Sequence, residues 1–557
     1  MASNGSSADT VLVKGAVYTM DAARSWAQAV AIRGGRLVLV GTDEQIRESV
    51  GPRTEVVDLA GRMLVPGFQD AHVHPVAAGV DLLQCDLHHL SSAEDYLEAI
   101  KSYADEHPDV PWILGGGWSM DAFERGTPTA AALDRVVPDR PVFLPNRDGH
   151  GAWVNSLALK IAGVTRDTAD PRDGRIERND QGEPEGTLHE GAADLVGTHT
   201  PEATADQMYE GLRKGQAYLH SLGITAWQDA IVSTAGWANN LDTYLRAGSE
   251  GDLTARVVGA LWWDRHQGLE QIDTFIEQRA AGRAGRFAAT SVKIMQDGVC
   301  ENFTAAVLDP YLDAHGDPSD NRGISFVDPR LLREAVTRLD AEGFQVHFHA
   351  LAERAVRESL DAVEAALEAN GPTDGRHHLA HLQVVHPDDI PRFRTLRAVA
   401  NAQPLWAAHE SQMDDLTIPF LGEPRWTWQY PFASLVRAGA MLAMGSDWGV
   451  SSPDPLQEIH VAVNRRMPPD YPYTVENHEV FLPDERLDLA TSLNAFTMGS
   501  AFVNHLDAET GSIEAGKYAD LAVIDKNLFE LPADEISSAT VQQTYVEGER
   551  VFAVPDA

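Results

Sequence analysis

The chain of 557 residues contains only two cysteines, Cys85 and Cys300. Two thiols can build neither a disulfide framework nor a cysteine-based zinc site, so any metal must be held by histidine, carboxylate or a modified side chain. No run of about 18 apolar residues occurs, which predicts that no helix spans a membrane. Residues 1–9 are polar, lack the basic start and apolar core of a secretory signal, and are predicted to be disordered. We therefore expect a cytoplasmic protein.

Basic residues are also scarce. The sequence has 44 Lys and Arg residues against 83 Asp and Glu residues, a formal net charge of −39. A surface this acidic argues against nucleic acid and against anionic membranes as partners, and we interpret the excess carboxylate as a solubilising surface. The hydrophobic share of 43% and the charged share of 23% are ordinary for a soluble globular protein. The length suffices for two to four domains.

Short β-strands are predicted near both ends of the chain. Residues 10–63 contain short apolar runs broken by glycine turns, and residues 507–557 have the same pattern. We predict that the two ends pair into one small β-sandwich, with residues 64–506 inserted between them. Chain ends that lie close together tolerate such an insertion.

The central part of the chain alternates short apolar strands with amphipathic helices, which predicts an α/β fold with a (β/α)₈ barrel. Residues 76–200 are too long for an ordinary connection between a strand and a helix, so we assign them to an insertion after the first barrel strand. The eight strand candidates are Leu64–His72, Gly223–Gln228, Arg256–Leu261, Ser291–Gln296, Phe344–His349, His377–Leu382, Ala398–Gln403 and Met441–Ser446.

The stretch LVPGFQDAHVHP, residues 64–75, closes on two histidines. Residues two apart on a strand point to the same face, so His72 and His74 can offer two imidazoles to one metal. In a parallel barrel the C-terminal ends of the strands converge on one site. The polar residues at the other strand ends complete a ligand set for one or two divalent metals. These residues are Lys293, His349, His381 and Asp447.

Some of these assignments have competitors. His347 shares a face with His349, and the strand-end position favours His349 as the ligand. His377 and His378 compete in the same way with His381.

Lys293 and Asp447 also have structural interpretations. Lys293 can be a lysine whose apolar stem is buried while its amine reaches solvent. As an ammonium it cannot bind metal, but reaction with carbon dioxide would convert the amine to a carbamate that can bridge two ions. Asp447 follows Gly445 and Ser446, where aspartate commonly caps a turn.

In these residues and in several longer motifs, the chain resembles the metal-dependent amidohydrolase superfamily. Within the superfamily it resembles the YtcJ-like branch, which includes N-substituted formamide deformylases. VPGFQDAHVHP resembles the signature of the first barrel strand, and MGSDWGV resembles the aspartate signature of the eighth. GSIEAGKYADLAVID resembles the return of the chain into the β-sandwich. VKIMQDG followed by VLDPYL, and GGGWSMDAF with PVFLPNRDGHGAWVNSLAL, are similar to segments of the YtcJ-like branch. The likeness spans nearly the whole chain.

The resemblance implies a role for each candidate ligand. His72 and His74 would bind one metal, most simply zinc, and His349 and His381 a second. Lys293 would be the carbamylated bridging ligand. Asp447 would ligate metal and shuttle the proton.

Two positions depart from the pattern of the branch. Glu353 stands where an aspartate is usual, and Ala380 stands where a glutamate usually precedes the second histidine. A carboxylate that orients a ligand changes metal affinity about 10- to 100-fold.

The implied activity is hydrolysis of a non-peptide C–N bond, in an amide, N-acyl or N-formyl small molecule, by metal-activated water. Tryptophans near the expected site favour an apolar or aromatic substrate, although each of them can instead belong to the core or to an interface. His150 lies between two glycines, which let the backbone approach closely, and is predicted to donate to the substrate carbonyl. The predicted substrate-binding residues are Trp118, His150, Cys300, Gln403, Trp406 and Trp448.

Other functions stay open at this point. The same fold supports deamination and the hydrolysis of cyclic amides, carbamates, esters or lactones. A non-catalytic metal-binding protein is the alternative from another class. Members of the superfamily are often oligomers, so the resemblance allows a homo-oligomer.

Overall fold

The computed structural model describes residues 7–232, 240–472 and 479–555. At its centre, eight parallel strands follow one another in chain order around a nearly closed barrel, which confirms the predicted α/β barrel fold. Most of these strands are buried on both faces, as expected for a parallel barrel that helices surround. The barrel strands are Phe68–Val73, Ile224–Val232, Arg256–Trp262, Phe287–Met295, Gln345–Ala350, His378–His381, Val399–Ala402 and Met441–Met444.

Helices connect and cover the barrel strands. The helix Ala205–Ser221 starts at a capping box, in which Thr204 and Gln207 satisfy each other's backbone N–H groups. Asp328 caps the helix Pro329–Ala341, which packs against Glu353–Asn370. The other α-helices are Asp43–Arg47, Pro75–Asp81, Ala93–Glu106, Ala130–Val136, Ser156–Ala162, Asp194–Gly197, Asn240–Glu250, Gln271–Ala281, Ile390–Leu396, Ile418–Leu421, Phe432–Arg437, Pro455–Asn464, Leu489–Asn494 and Ser500–Val503.

The first and eighth barrel strands meet where the barrel closes. The backbone N–H of Asp447 donates to the carbonyl of His72 over 2.8 Å, and the N–H of His74 donates to the carbonyl of Trp448 over 2.6 Å. The hydroxyl of Ser446 donates to Asp70 over 2.6 Å. The two signature stretches therefore lie side by side at the C-terminal mouth of the barrel, although Asp70 and Ser446 are 376 residues apart in sequence.

Strands from both chain ends form two further sheets. In the larger one, the strand Leu521–Ile524 from the C-terminal segment pairs directly with Met63–Pro66 from the N-terminal segment. Side chains such as Leu12, Leu64 and Val523 form the core between the sheets. In sheet order, the larger contains Glu549–Ala553, Val541–Val546, Leu521–Ile524, Met63–Pro66, Ala16–Tyr18 and Trp26–Ala27, and the smaller Arg36–Gly41, Ala29–Arg33, Thr10–Val13 and Glu55–Asp58.

The predicted strand Leu64–His72 is two strands in the structure. Met63–Pro66 belongs to the terminal sheet and Phe68–Val73 to the barrel, so the chain passes from one unit to the other at Gly67 instead of at residue 64. A β-carbon at position 67 would lie 2.4 Å from the side chain of Thr225. Only glycine lets the chain pass this close to the second barrel strand.

The N-terminal prediction of disorder covers residues on both sides of the described boundary. Residues 1–6 lie outside the described residues. Ala8, which was included in the predicted disorder, is buried and donates its N–H to the carbonyl of Ser49, and Asp9 donates to the carbonyl of Ile32. Ala8 and Asp9 are thus ordered, contrary to the prediction, because Asp9 extends the inner strand Thr10–Val13 of the smaller terminal sheet and also accepts the N–H of Glu55 over 2.9 Å.

The insertion after the first barrel strand has a sheet of its own. At the start of the insertion, the helix Pro75–Asp81 packs against Ala205–Ser221, so closely that a β-carbon on Gly79 would lie 2.0 Å from the carbonyl oxygen of Gly211. In sheet order, the strands of the insertion are Gly174–Arg178, Pro184–Glu190, Gly151–Val154, Val142–Pro145, Ile113–Gly116 and Cys85–Asp86.

No helix in the described part of the chain is long and apolar enough to cross a membrane.

Candidate metal centre

Three of the predicted ligands, all histidines, meet around a fourth, the carboxylate of Asp447, at the mouth of the barrel. Oδ1 of Asp447 lies 3.2 Å from Nε2 of His72 and 3.0 Å from Nε2 of His74. Oδ2 of Asp447 lies 3.8 Å from Nδ1 of His381. One ligand atom each from His72, His381 and Asp447 lie within 4.8 Å of one another, close enough to hold one metal ion.

The other two predicted ligands are buried beside this group. The ring of His349 lies 4.4 Å from that of His381, centroid to centroid. Lys293 is 3% exposed and lies beside His347 in the pairing of the fourth and fifth strands. Burial lowers the pKa of Lys293 to about 7, although Asp447 and Asp229 act in the opposite direction. A neutral amine is therefore accessible here at ordinary pH.

The donor set fits a divalent metal of zinc type. Among the described residues, no hydrogen-bond partner is found for Nδ1 or Nε2 of His381, for Nδ1 of His349, or for Oδ1 of Asp447. Burial lowers the pKa of His72 to about 3, and it lowers the pKa values of His349 and His381 well below their usual range. Buried polar atoms without partners are costly. A bound metal ion would give these atoms a partner, because neutral imidazoles and a carboxylate are ligands that zinc commonly takes.

The competing histidines on the fifth and sixth strands have partners at both ring nitrogens. Nε2 of His347 lies 2.7 Å from Nδ1 of His72, and its Nδ1 lies 2.7 Å from Oε1 of Gln228. Nε2 of His378 lies 3.0 Å from the same oxygen of Gln228, and its Nδ1 lies 3.0 Å from Nδ2 of Asn401. His347 therefore contacts a predicted ligand directly, and His378 shares the oxygen of Gln228 with it.

His377 is also fully engaged. Its Nε2 lies 3.0 Å from Asp340, and its Nδ1 accepts the N–H of Val346 over 3.0 Å. The geometry therefore favours His349 and His381 over their sequence neighbours.

Two of the residues at the centre have left-handed backbone conformations. The φ angle is 54° at Asp447 and 81° at His381. Such angles are uncommon for residues other than glycine and cost of order 1–3 kcal/mol. The surrounding hydrogen bonds hold them, among them the bond from the N–H of His381 to Oε1 of Gln403 over 2.7 Å.

His150 reaches the centre from the insertion. Its Nδ1 lies 2.9 Å from Oε1 of Glu190, and its ring lies 5.2 Å from that of His349. The hydroxyl of Thr304 donates to the same oxygen of Glu190 over 2.7 Å. Burial alone would lower the pKa of His150, but Glu190 raises it to about 9. The pKa of Glu190 is in turn about 2, because His150 outweighs the effect of burial.

Two other predicted substrate residues lie next to a ligand. The indole of Trp406 stacks on the imidazole of His381, with centroids 5.3 Å apart and 17° between planes, and its Nε1 donates to Ser451 over 3.2 Å. Gln403 is completely buried, and its amide contacts the backbone of His381 and the side chain of Asn401. Its side chain thus positions His381, where the prediction was substrate binding.

The three remaining predicted substrate residues have packing roles in the structure. Trp118 is 1% exposed in the core of the insertion, and its Nε1 donates to the carbonyl of Leu144 over 2.8 Å. Cys300 is buried in a separate apolar cluster, where burial raises the pKa of its thiol well above the usual value. The ring of Trp448 packs 5.1 Å from that of Tyr218. These three residues were predicted from their chain positions, in the insertion or near a strand end. Such a position does not determine where a side chain points.

Near Glu353, the first departure from the branch pattern, the structure has a different carboxylate beside a predicted ligand. Glu353 is buried and accepts the N–H of Leu308 over 3.2 Å. Oδ1 of Asp297 lies 3.5 Å from Nδ1 of His349. Asp297 also accepts backbone N–H groups from Leu351, Ala352 and Ala306. The sequence analysis missed Asp297, although it follows the fourth strand in the quoted motif VKIMQDG.

The sequence analysis also missed Asp70, Gln228 and Asn401, which are completely buried under the ligands. Asp70 accepts the N–H of His72 over 2.9 Å, and burial raises its pKa to about 7. Asp70 stands inside LVPGFQDAHVHP, so its place next to a ligand was a usable signal. Gln228 and Asn401 have no comparable motif.

The profile of the amidohydrolase family matches residues 55–552 of the chain. The chain belongs to this family. The amidohydrolase is therefore a metal-dependent hydrolase that acts on C–N bonds, as the resemblance implied.

Three relatives are similar in sequence to nearly the whole length of the amidohydrolase. The protein LONG AFTER FAR-RED 3 of Arabidopsis thaliana is 32% identical over 98% of this chain and 92% of its own length. The putative amidohydrolase YtcJ of Bacillus subtilis is 29% identical over 97% of this chain and 98% of its own. The N-substituted formamide deformylase of Arthrobacter pascens is 28% identical over 97% of each chain.

Solved structures share the fold of the amidohydrolase. An uncharacterised metal-dependent hydrolase from Pyrococcus furiosus superposes with a TM-score of 0.70 at 24% identity, covering 93% of this chain and 99% of its own. The atrazine chlorohydrolase TrzN from Arthrobacter aurescens, complexed with zinc, gives a TM-score of 0.53 at 14% identity, with 97% and 94% covered.

Proposed function

We propose that this amidohydrolase cleaves the amide bond of an N-formyl or other N-acyl small molecule with an apolar or aromatic substituent on nitrogen. The observation that carries the proposal is the contact of Asp447 with His72 and His74 in a buried site whose donor atoms lack other partners. The likeness to an N-substituted formamide deformylase over nearly the full length supports this substrate class.

The residues proposed to hold the metal are those at the strand ends. His72, His74 and Asp447 would form one binding group, with His381 and His349 beside them. The proposed metal is zinc, because neutral imidazole and carboxylate suit it. When bound, such an ion lowers the pKa of water towards about 7 and polarises the bond that is cleaved.

Lys293 is proposed to act as a carbamate. A buried ammonium beside several imidazoles would be poorly solvated. The neutral amine, favoured by the low pKa, is the form that adds to carbon dioxide. The resulting carboxylate would be a ligand able to bridge two ions.

Two side chains are proposed to move or hold protons. Asp447 accepts the proton of the attacking water and returns it to the departing nitrogen, as a general base and then a general acid. Glu190 engages Nδ1 of His150, which leaves Nε2 of His150 to donate to the substrate carbonyl oxygen. Charge that develops on that oxygen would be stabilised by the imidazolium.

The half-buried indole of Trp406 supports an apolar or aromatic substituent. It stacks on His381, so a substrate bound at the metal would lie against its face or edge. The proposal also includes a cytoplasmic location and a small molecule as the partner, without nucleic acid or membrane. Assembly into a homo-oligomer is compatible with it.

A substrate panel tests the proposal. The metal-loaded enzyme is offered N-formyl and N-acyl amines with aryl, alkyl and short polar substituents, together with cyclic amides, carbamates, esters and aminopurines. We expect release of formate or carboxylate and an amine, fastest for aryl or alkyl formamides. Equal turnover of short polar and aryl amides would overturn the apolar preference. Ammonia release without a carboxylic acid would identify a deaminase, and no turnover with bound metal would favour a non-catalytic metal-binding protein.

A further inference from the structure

A buried layer of amides and imidazoles lies inside the barrel beneath the metal ligands. Barrel interiors are commonly filled with branched apolar side chains, so a polar layer must satisfy its own hydrogen bonds. We name this set the supporting layer, and its members are all at most 4% exposed. They are Gln228, Gln345, His347, His378 and Asn401.

Backbone carbonyls fix the orientation of the first amide in the supporting layer. Nε2 of Gln345 lies 3.0 Å from the carbonyl oxygen of Arg376 and 2.7 Å from that of Val503. Carbonyl oxygens only accept, so this end of the amide must be the NH₂ group. Its other end, Oε1, faces Nε2 of Gln228 at 3.0 Å. Gln228 therefore presents its oxygen on the opposite side.

That oxygen determines where His347 carries its proton. Oε1 of Gln228 accepts from Nδ1 of His347, which must therefore be the protonated nitrogen. A buried imidazole with only neutral partners is itself neutral, since a charge there would be uncompensated. Nε2 of His347 thus carries a lone pair, which accepts a hydrogen bond from Nδ1 of His72 over 2.7 Å.

A second carbonyl gives the same orientation independently. Nδ2 of Asn401 donates to the carbonyl of Ala71 over 2.9 Å and faces Nδ1 of His378 at 3.0 Å. Nδ1 of His378 is therefore the acceptor and its Nε2 carries the proton. That proton points to Oε1 of Gln228, 3.0 Å away, which again must be an oxygen. Two separate anchors therefore agree on the orientation of Gln228.

The consequence reaches the metal site. With its proton on Nδ1, a neutral His72 has a lone pair on Nε2, and that lone pair faces Oδ1 of Asp447 at 3.2 Å. Two acceptors at this distance repel each other unless a cation lies between or beside them. The supporting layer thus holds His72 in the tautomer that leaves Nε2 ready for a metal.

We propose that Gln228 is a positioning residue which, through His347, fixes the tautomer of His72 and so prepares the site for its metal. The inference rests on the proposed function to the extent that His72 is taken as a ligand. It adds a residue on the second barrel strand, which supplies none of the predicted ligands.

The zinc affinity of variants tests the role of Gln228. Gln228→Met keeps the volume and removes the amide, and we expect Zn²⁺ to bind about 10- to 100-fold more weakly in competition with a chelator. In Gln228→Glu the buried side chain is held as a neutral carboxyl, because burial disfavours the charged form. Its O–H then donates to Oε1 of Gln345 while its carbonyl oxygen accepts from both imidazoles, so we expect Zn²⁺ to bind close to the wild-type affinity. Unchanged affinity in Gln228→Met, or equal losses in both variants, would overturn the inference.

Gln69→Met is the matched control for the substitution. Gln69 is also a completely buried glutamine on a barrel strand, but its amide donates to Thr510 over 2.8 Å, away from the supporting layer. We expect its zinc affinity to equal that of the wild type. The melting temperature of each metal-free variant checks that it is folded.

A spectroscopic measurement on the wild type needs no variant. Loaded with Co²⁺, the enzyme should show a paramagnetically shifted ring N–H resonance from Nδ1 of His72 that exchanges slowly with water, because His347 accepts that proton in the core. Absence of any protected ring N–H resonance would overturn the tautomer assignment while leaving metal binding established. Failure of the wild type to bind either metal would instead overturn the proposed function and, with it, this inference.

Discussion

Two layers of histidine in the same barrel strands differ in their hydrogen bonding. On the fifth strand, His347 has partners at both ring nitrogens, whereas two residues later Nδ1 of His349 has none in the described structure. On the sixth strand the same contrast separates His378 from His381. All four rings are buried, so burial alone does not distinguish a ligand from a structural histidine. On these two strands, hydrogen-bond partners at the ring nitrogens distinguish the supporting histidines from the proposed ligands.

We name the predicted ligands at the mouth of the barrel, apart from Lys293, the ligand layer. Its members are His72, His74, His349, His381 and Asp447. Its donor atoms converge at the mouth of the barrel, while the supporting layer is closed on itself beneath. Substitutions in the two layers should therefore have effects of different size.

The largest effect is expected at Asp447. Asp447→Asn keeps the shape but removes the group that accepts and returns the proton, so we expect kcat to fall about 100- to 10,000-fold. Steady-state kinetics on an aryl formamide measures this, with metal content determined on the same sample. A kcat within tenfold of the wild type, at equal metal content, would remove Asp447 from catalysis.

One substitution made in each layer compares them directly. In His349→Leu a proposed ligand is lost, and we expect Zn²⁺ affinity to fall more than about 100-fold. In His347→Leu only the support of His72 is lost, and we expect a fall of about 10- to 100-fold. Chelator competition measures both. A larger loss in His347→Leu than in His349→Leu would reverse the assignment of the two layers.

The motifs around His72, His74 and Asp447 allowed the residues of the ligand layer to be proposed from sequence. Strand alternation and strand-end position are local features, and they carried the fold class, the order of the barrel strands and the candidate ligands. The competition between His347 and His349 could not be resolved in that way, because the two residues share one face of one strand.

The supporting layer was not predictable, because its contacts join residues far apart in sequence. The bond between Gln228 and His347 spans 119 residues, and that between His72 and His347 spans 275. A lone glutamine in an apolar strand gives no signal of a partner at that separation. For the same reason Trp118 and Cys300 were placed in the pocket from their chain positions, while the structure packs both in apolar clusters.

The pair of His150 and Glu190, beside the ligand layer, should make the stability of the metal-free protein depend on pH. The pKa of His150 is raised from 6.5 to about 9, so its contribution is complete below pH 6.5 and is lost as the pH rises towards 9. The pKa of Glu190 is lowered from 4.5 to about 2, so its contribution is complete above pH 4.5 and is lost as the pH falls towards 2.

Glu190→Gln should therefore lower the melting temperature of the metal-free protein most between pH 4.5 and 6.5. Breaking a buried pair of this kind costs about 3–5 kcal/mol. The deficit relative to the wild type should shrink as the pH approaches 9. A deficit that is constant from pH 5 to pH 9 would contradict the ion pair.

The smallest effect is expected for substrate stacking on Trp406. An aromatic contact contributes about 0.5–1.5 kcal/mol, so Trp406→Ala should raise KM for an aryl formamide about 2- to 10-fold. Trp118→Phe is the control in the core of the insertion, and it should lower the melting temperature without changing KM. An unchanged KM in Trp406→Ala would place the substituent elsewhere.

The most direct test of the central claim is the position of the metal itself. Crystals of the zinc-loaded amidohydrolase, measured at the zinc absorption edge, should show an anomalous peak within bonding distance of Nε2 of His72 and the carboxylate of Asp447, with no peak in the supporting layer. A peak bound by His347 or His378, or zinc only at the protein surface, would contradict the account.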